Sequence, residues 1–342
     1  MNEHEFNVIL STLQSRQDLS PDQMRATVGW LLSGSASSDV IRQLLELMAE
    51  KGESVGELVG AARALRDSML TVATDRPVVV DTCGTGGDGS KTFNISTAAA
   101  LVAAAAGVPV AKHGNRKITS STGSADVLGE LGINLEAEVQ VAARCLREIG
   151  ICFCFAPYFH PAMRHVGPAR REVSRPTIFN RLGPLANPAG ANCQVLGTGD
   201  TRLQDKLAQA LLQLGTRRSI VVCGSDGVDE ISLSAPTRIL VVENESIAEA
   251  QWQPSDFGIQ RAARDDLFAD SPSESAVCIR SVLDGQLGPK RDVVVLNAAA
   301  ALWVFGSSTD LQQCAQQACE AIDDGRAQGI VERLAALTNA PQ

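Results

Sequence analysis

DTCGTGGDGSKTFNISTAAALVAAAAGVPVAKHGNR, residues 81–116, decides how this chain is read. The apolar run Val78-Val79-Val80 before it predicts a buried strand that ends in a turn. Gly84, Gly86, Gly87 and Gly89 follow, threaded with Thr85, Asp88 and Ser90. Asn94-Ile95-Ser96-Thr97 then heads an alanine-rich run to Ala106, which reads as a buried helix. A strand, a glycine turn and a helix N-terminus make an anion site, because unpaired backbone N–H groups and the positive dipole end converge there. Glycine lets the backbone approach a phosphate with no Cβ in the way. A second short strand over 108–111 then delivers Lys112, His113, Asn115, Arg116 and Lys117 as further donors. The stretch reads as a site for a heavily phosphorylated small molecule.

The glycine loop is neither a G-x-x-x-x-G-K-[ST] loop nor a G-x-G-x-x-G fingerprint. A bare tight turn would not need the hydroxyl and amide residues that crowd it. Thr85, Ser90, Thr92 and Asn94 stand in the loop, Ser96 and Thr97 open the helix, and Asn115 follows the second strand.

A chain of 342 residues implies one large or two modest domains. At that length folding buries about three quarters of the unfolded surface, so the core needs no staples. A net charge of −9 argues against broad binding to nucleic acid or to an acidic membrane. The nine cysteines show no C-x-x-C pair and no metal-finger spacing, and no signal peptide precedes them. Reduced thiols in a cytoplasmic protein are expected. The alanine-rich run falls short of a membrane span.

The first seventy residues predict four amphipathic helices. Phe6, Leu10 and Leu13 mark the first, and Ser20-Pro21-Asp22-Gln23 is a capping box that starts the second. Val40, Ile41, Leu44, Leu45 and Met48 face the third inward, and Ser54 with Glu57 caps the fourth. From Val78 onward strands and helices alternate, the pattern of a mainly parallel sheet flanked by helices. Further strands are expected at 151–155, 194–196, 219–223 and 239–242, with closing helices at 292–304, 309–323 and 325–337. The expected fold is a small N-terminal α-helical domain, 1–76, plus a larger α/β domain, 77–342. The Pro-, Gly- and Asn-rich stretch 174–192 is read as a crossing between them. The weakly patterned, polar stretch 256–275 is expected to be a flexible excursion.

Asp226, Asp229 and Glu230 follow directly after RSIVVCG, where carboxylates at a strand's C-terminal end face the crevice of an α/β sheet. Such a group suits Mg²⁺, which takes one or two carboxylates plus substrate phosphates. An isolated D-x-x-D-E is also at home on a solvated acidic loop, and a diphosphate substrate, which brings its own metal, favours the metal reading. His160 lies just past ICFCF and Arg170 ten residues later. An arginine fork matches a carboxylate bidentately, although an arginine here also suits a plain surface charge and a lone histidine a structural role.

GTGGD at 84–88, NIST at 94–97, KHGNR at 112–116 and GSAD at 123–126 together resemble the anthranilate phosphoribosyltransferases, a nucleoside phosphorylase-like, class III family of tryptophan biosynthesis. HPAMR at 160–164, GPLANP at 183–188 and DGVDE at 226–230 extend the resemblance over nearly the whole chain. It implies that the 5-phosphoribosyl group of phosphoribosyl diphosphate passes to the amine of anthranilate, with diphosphate released. The phosphorylated substrate is implied against Gly84, Gly87, Asp88 and Thr92, and against Asn94, Ile95, Ser96 and Thr97 at the helix head. Lys112, His113, Gly114, Asn115, Arg116 and Lys117 complete that set, with Ile118, Thr119, Ser120 and Ser124 beyond. Anthranilate is implied against Arg170, Asn115, Gly84 and His160, with Gly183 permitting close approach of the crossing segment. Asp229 and Glu230 are implied as the Mg²⁺ pair, and Ser96 as the hydroxyl ligand of another metal ion. An aromatic amine is a free nucleophile at neutral pH, so no strong general base is required. Family members are commonly homodimers built through the helical domain.

A nucleoside phosphorylase shares the implied fold, but the HPAM, Arg170 and GPLANP set argues against it. A non-catalytic nucleic-acid-binding relative would show a basic face and degraded motifs, and neither is present. Two positions depart from the family pattern: Ser121 stands where many members carry Lys, and Ser275 where Asn is frequent.

Overall fold

The first four helices each begin at a side-chain cap. Asn2 and Glu5 close a reciprocal box on α1 (Glu3–Gln14), and Ser20 and Gln23 do so on α2 (Pro21–Leu32). The Ser37 hydroxyl caps α3 (Ser38–Lys51), and Ser54 with Glu57 boxes α4 (Val55–Asp67). A side-chain oxygen in each case accepts from a backbone N–H that the first turn leaves unpaired. Glu57 reaches further, accepting from the Leu19 N–H at 3.0 Å and from Lys51 Nζ at 2.7 Å, which satisfies a fully buried carboxylate. The computed structural model describes residues 1–87, 89–116 and 122–340.

After this small helical domain comes an α/β domain built on a seven-stranded sheet. Its elements begin with β1 (Val80–Gly84), α5 (Ile95–Ala105), β2 (Val110–Gly114), α6 (Ser124–Glu130), α7 (Val139–Glu148) and β3 (Ile151–Phe155). Three short helices follow, α8 (Ala156–Phe159), α9 (Gly167–Glu172) and α10 (Phe179–Leu182). Next come β4 (Cys193–Gly197), α11 (Thr201–Gln213), β5 (Arg218–Gly224), β6 (Thr237–Glu243) and β7 (Ser246–Trp252). Helices α12 (Pro272–Leu283), α13 (Pro289–Phe305), α14 (Leu311–Asp323) and α15 (Arg326–Thr338) close the chain.

The strand order is β3-β2-β1-β4-β5-β6-β7. The first five run parallel, and β6 and β7 are added antiparallel. Because side chains alternate along a strand, each face builds its own core. On β5, Ile220 and Val222 join the cluster under α5, α13, α14 and α15. Val221 between them joins the cluster formed by α1–α4, α11 and residues 178–186. The alanine run of α5 is buried along nearly its whole length, and small side chains let α13 lie close against it.

Three features differ from the expectations drawn from sequence. Helix α11 and strand β7 were not anticipated, while the antiparallel β6 and β7 leave the sheet mainly parallel, as expected. The stretch 256–275 is not an excursion: Phe257, Leu267 and Ala269 are buried, and α12 begins at Pro272. Its middle pairs with the glycine loop, as the Phe93 N–H donates to the Leu267 carbonyl at 2.9 Å and the Ala269 N–H to that of Lys91 at 3.1 Å. Backbone pairing supplied the order that side-chain periodicity did not announce.

Candidate active site

The parallel strands β1, β2 and β3, and the turn after β5, open at their C-terminal ends onto one cleft of about 1150 Å³, as expected for an open α/β sheet. β1 ends at Gly84, and the chain turns through Gly86, Gly87 and Gly89 with φ of 65°, 81° and 68°. A side chain would strain all three. At Gly84 the constraint is space, since an added Cβ would stand 2.6 Å from Asp229 Oδ2. That carboxylate accepts the Gly86 N–H at 3.2 Å, and Glu230 Oε1 accepts the Ser96 N–H at 3.1 Å. The acidic turn after β5 therefore meets both the glycine loop and the N-terminus of α5. Asp226 does not: it accepts from the Ser232 hydroxyl at 2.7 Å and from Ser234, and it braces its own turn.

Lys112 on β2 is only 3 % exposed. Its Nζ donates to the Thr82 carbonyl and, at 3.2 Å, to Ser96 Oγ. Burial pushes its pKa down, while the charges of Asp81, Glu230 and Asp229 oppose that shift. Its Nζ thus lies under the helix head as a buried donor held by Thr82 and Ser96.

His113, next on β2, has Nδ1 2.8 Å from the Gly183 carbonyl, which can only accept, so Nδ1 carries the proton. Its Nε2 then accepts from His160 Nε2 at 3.2 Å. Burial, and secondarily the neighbouring His113, pushes the His160 pKa down to about 3, and burial lowers that of His113. Both rings are neutral near pH 7. Beneath them, buried Asp81 accepts the His113 N–H at 3.1 Å and the Asn187 amide at 2.8 Å. Asn187 also donates to the Ala111 carbonyl at 2.8 Å, and Gln194 Nε2 donates to that of Pro184 at 2.6 Å. Side chains on β1, β2 and β4 thereby hold residues 183–188 against the sheet. Burial raises the Asp81 pKa, with His113, Lys112 and the Asn187 bond pulling it back.

Arg170 lies on α9, half-buried at the cleft wall near His160 and Gly183. Its guanidinium has no carboxylate partner among the described residues, and burial pulls its pKa below the ordinary value. Gly84, Gly87, Thr92, Asn94, Ile95 and Ser96 line the same cleft. So do Lys112, His113, Gly114, Asn115, Arg116 and Ser124. Thr97 does not: it is fully buried behind the helix head. Asp88, Lys117, Ile118, Thr119, Ser120 and Ser121 lie outside the described residues. Asp81, Asn187 and Gln194 went unmarked in the sequence reading, although a charged residue inside the strand VVVDTC was a signal that could have found Asp81.

The donors around Asp229 and Glu230 are all oxygen, with hydroxyls at hand and no group of three or more His, Cys, Asp or Glu side chains among the described residues. Such a set suits a hard cation completed by water and substrate oxygens, and not a dedicated protein cage.

Comparison with known proteins agrees with this geometry. Residues 76–328 match the glycosyl transferase family a/b domain, and residues 7–69 the helical bundle domain of the same family. The anthranilate phosphoribosyltransferase of Rhodopirellula baltica is 47 % identical over 330 residues, covering 96 % of each chain. The crystal structure of the Thermus thermophilus enzyme of that name superposes with a TM-score of 0.91 at 38 % identity, covering 97 % of this chain and 99 % of that one. The Saccharomyces cerevisiae enzyme, solved in complex with PRPP and Mg, gives 0.90 at 26 % identity, with 98 % of each chain covered. With a loop, a carboxylate pair and a full-length likeness all in agreement, the chain belongs to the anthranilate phosphoribosyltransferase family.

Proposed function

We propose that this chain transfers the 5-phosphoribosyl group of phosphoribosyl diphosphate to the amine of anthranilate, releasing diphosphate, as a step of tryptophan biosynthesis. One observation carries the reading: two anion sites of different kinds face one cleft. The glycine loop and the α5 head offer backbone N–H groups, suited to phosphate. Arg170 offers a planar fork, suited to a carboxylate.

In this reading the C1–O bond to diphosphate breaks as the C1–N bond forms, with positive charge on the sugar and negative charge on the leaving group. Loop N–H groups, Ser96 and the Lys112 Nζ donor stabilise the departing charge. Asp229 and Glu230 would hold one Mg²⁺ and the Ser96 hydroxyl would ligate another, and when bound the metal would neutralise diphosphate charge. Arg170 orients anthranilate through its carboxylate, and Asn115, Gly84, His160 and Gly183 shape the pocket around the ring. The neutral His113–His160 pair takes no proton; the amine attacks as the free base, and the proton it sheds once the C1–N bond has formed passes to solvent or to the released diphosphate. Catalysis is then mainly positioning and electrostatics.

The same reading divides the chain into a helical domain, 1–76, aided by 174–192, and a catalytic domain, 77–342. A homodimer through the helical domain is supported by Val8, exposed on α1, and by the half-buried ring pair Phe6–Trp30 between α1 and α2. The nine cysteines are all unpaired, which supports a cytoplasmic setting. No helix among the described residues is long and apolar enough to cross a membrane. Loss of anthranilate fluorescence on adding phosphoribosyl diphosphate with Mg²⁺ tests the function. Fluorescence unchanged under those conditions refutes it.

A further inference from the structure

Asn94 occupies the position before α5 where an asparagine side chain ordinarily caps the helix, yet it makes no capping hydrogen bond. Its oxygen is used elsewhere. Oδ1 accepts from Thr122 Oγ1 at 2.6 Å and from Ser275 Oγ at 3.0 Å. Ser275 Oγ in turn accepts the Asn94 backbone N–H at 2.9 Å. Ser275 lies on α12 and is 0 % exposed, so solvent cannot substitute for either bond. The amide is thereby oriented: with Oδ1 taken by two hydroxyl donors, Nδ2 remains without a protein partner among the described residues, on a side chain that lines the cleft.

The backbone around this contact is tied in the same way. Thr92 pairs with Phe268 in an antiparallel bridge, flanked by the Phe93–Leu267 and Lys91–Ala269 bonds. Residues 267–275 therefore run as a strap along the exit of the glycine loop, and Ser275 is its side-chain pin.

We propose that Ser275 is a positioning residue for phosphoribosyl diphosphate, acting through Asn94 to present the Asn94 amide N–H to the phosphorylated substrate. This rests on the assignment of the cleft made above. Removing the Ser275 hydroxyl leaves Oδ1 held by Thr122 alone and unpairs the backbone N–H of Asn94, so the amide is less firmly oriented. The effect falls on the phosphorylated substrate and spares anthranilate, which is assigned to the Arg170 wall.

The test is a double-mutant cycle on the full chain with Ser275→Ala, Asn94→Ala and both together. Calorimetric binding of phosphoribosyl diphosphate with Mg²⁺ and the KM for anthranilate are read on each. Ser275→Ala is expected to weaken diphosphate binding roughly three- to tenfold, the worth of one hydrogen bond, and to leave the anthranilate KM within about twofold of wild type. In the Asn94→Ala background the same change is expected to add nothing further. Ser275→Cys, close in volume but a weak donor, makes the same comparison if the alanine variant unfolds. Full additivity of the two changes, equal losses for both substrates, or unaltered binding in Asn94→Ala overturns the pin alone. Wild-type protein that binds no phosphoribosyl diphosphate refutes the proposed function, and the pin with it.

Discussion

Replacing Arg170 with alanine separates the two substrates. The guanidinium is half-buried and has no carboxylate partner among the described residues, so its loss breaks no internal ion pair. A planar fork meeting a carboxylate makes charge-assisted hydrogen bonds, each worth about 1.5–3 kcal/mol when one group is charged. Because the side chain is partly open to water, a total near the lower end of that range is appropriate. At about 1.4 kcal/mol per factor of ten, the KM for anthranilate should rise roughly tenfold or more. Phosphoribosyl diphosphate binding should stay within about a few-fold of wild type, because its proposed donors lie on β1, α5 and β2. Lysine should rescue only in part, offering a point charge in place of a fork. Two substrate titrations on each variant, with calorimetry for phosphoribosyl diphosphate, measure the split. Loss of diphosphate binding with an unchanged anthranilate KM would show that the two pockets have been assigned the wrong way round.

The Asp229→Asn, Glu230→Gln double variant keeps a carbonyl acceptor for the Gly86 and Ser96 N–H groups, so it should fold while turnover falls by orders of magnitude; wild-type activity at low Mg²⁺ would sink the assignment. His160 has its folded pKa pushed from 6.5 to about 3, so in that window the unfolded chain binds the extra proton and stability is lost as pH falls. Denaturant unfolding should therefore show the wild type losing stability between those values faster than His160→Gln, with a constant gap above them; parallel curves throughout would contradict the buried neutral ring. Sedimentation at micromolar concentration should show a symmetric dimer joined through the helical domain, and a monomer there would count decisively against it.

Much of this protein is legible along the chain because its signals are short-range. Caps at Ser20 and Ser54 act within one helical turn, and the glycine loop and α5 head are adjacent in sequence. The Gly84–Gly89 turn was readable as an anion site from residue type and spacing, whereas Arg170, and Asp229 with Glu230, were singled out by the family resemblance. Which candidates face the cleft was not readable. Ser96 and Thr97 are neighbours of similar character, yet the rotation of about 100° between successive helical residues puts Ser96 on the cleft and Thr97 in the core. Lys112 looked like an open phosphate donor, and the neighbouring strand made it a buried one, bonded to Thr82 and Ser96. The Asp81–Asn187 bond spans 106 positions and the Asn94–Ser275 bond 181. No periodicity within a single element encodes such pairs. They exist because parallel strands bring distant segments to one sheet edge, where a buried polar atom must find whichever partner the fold delivers. The order of residues 256–275 has the same origin: their own sequence carries a weak pattern, and the backbone of Lys91 and Phe93 completes it.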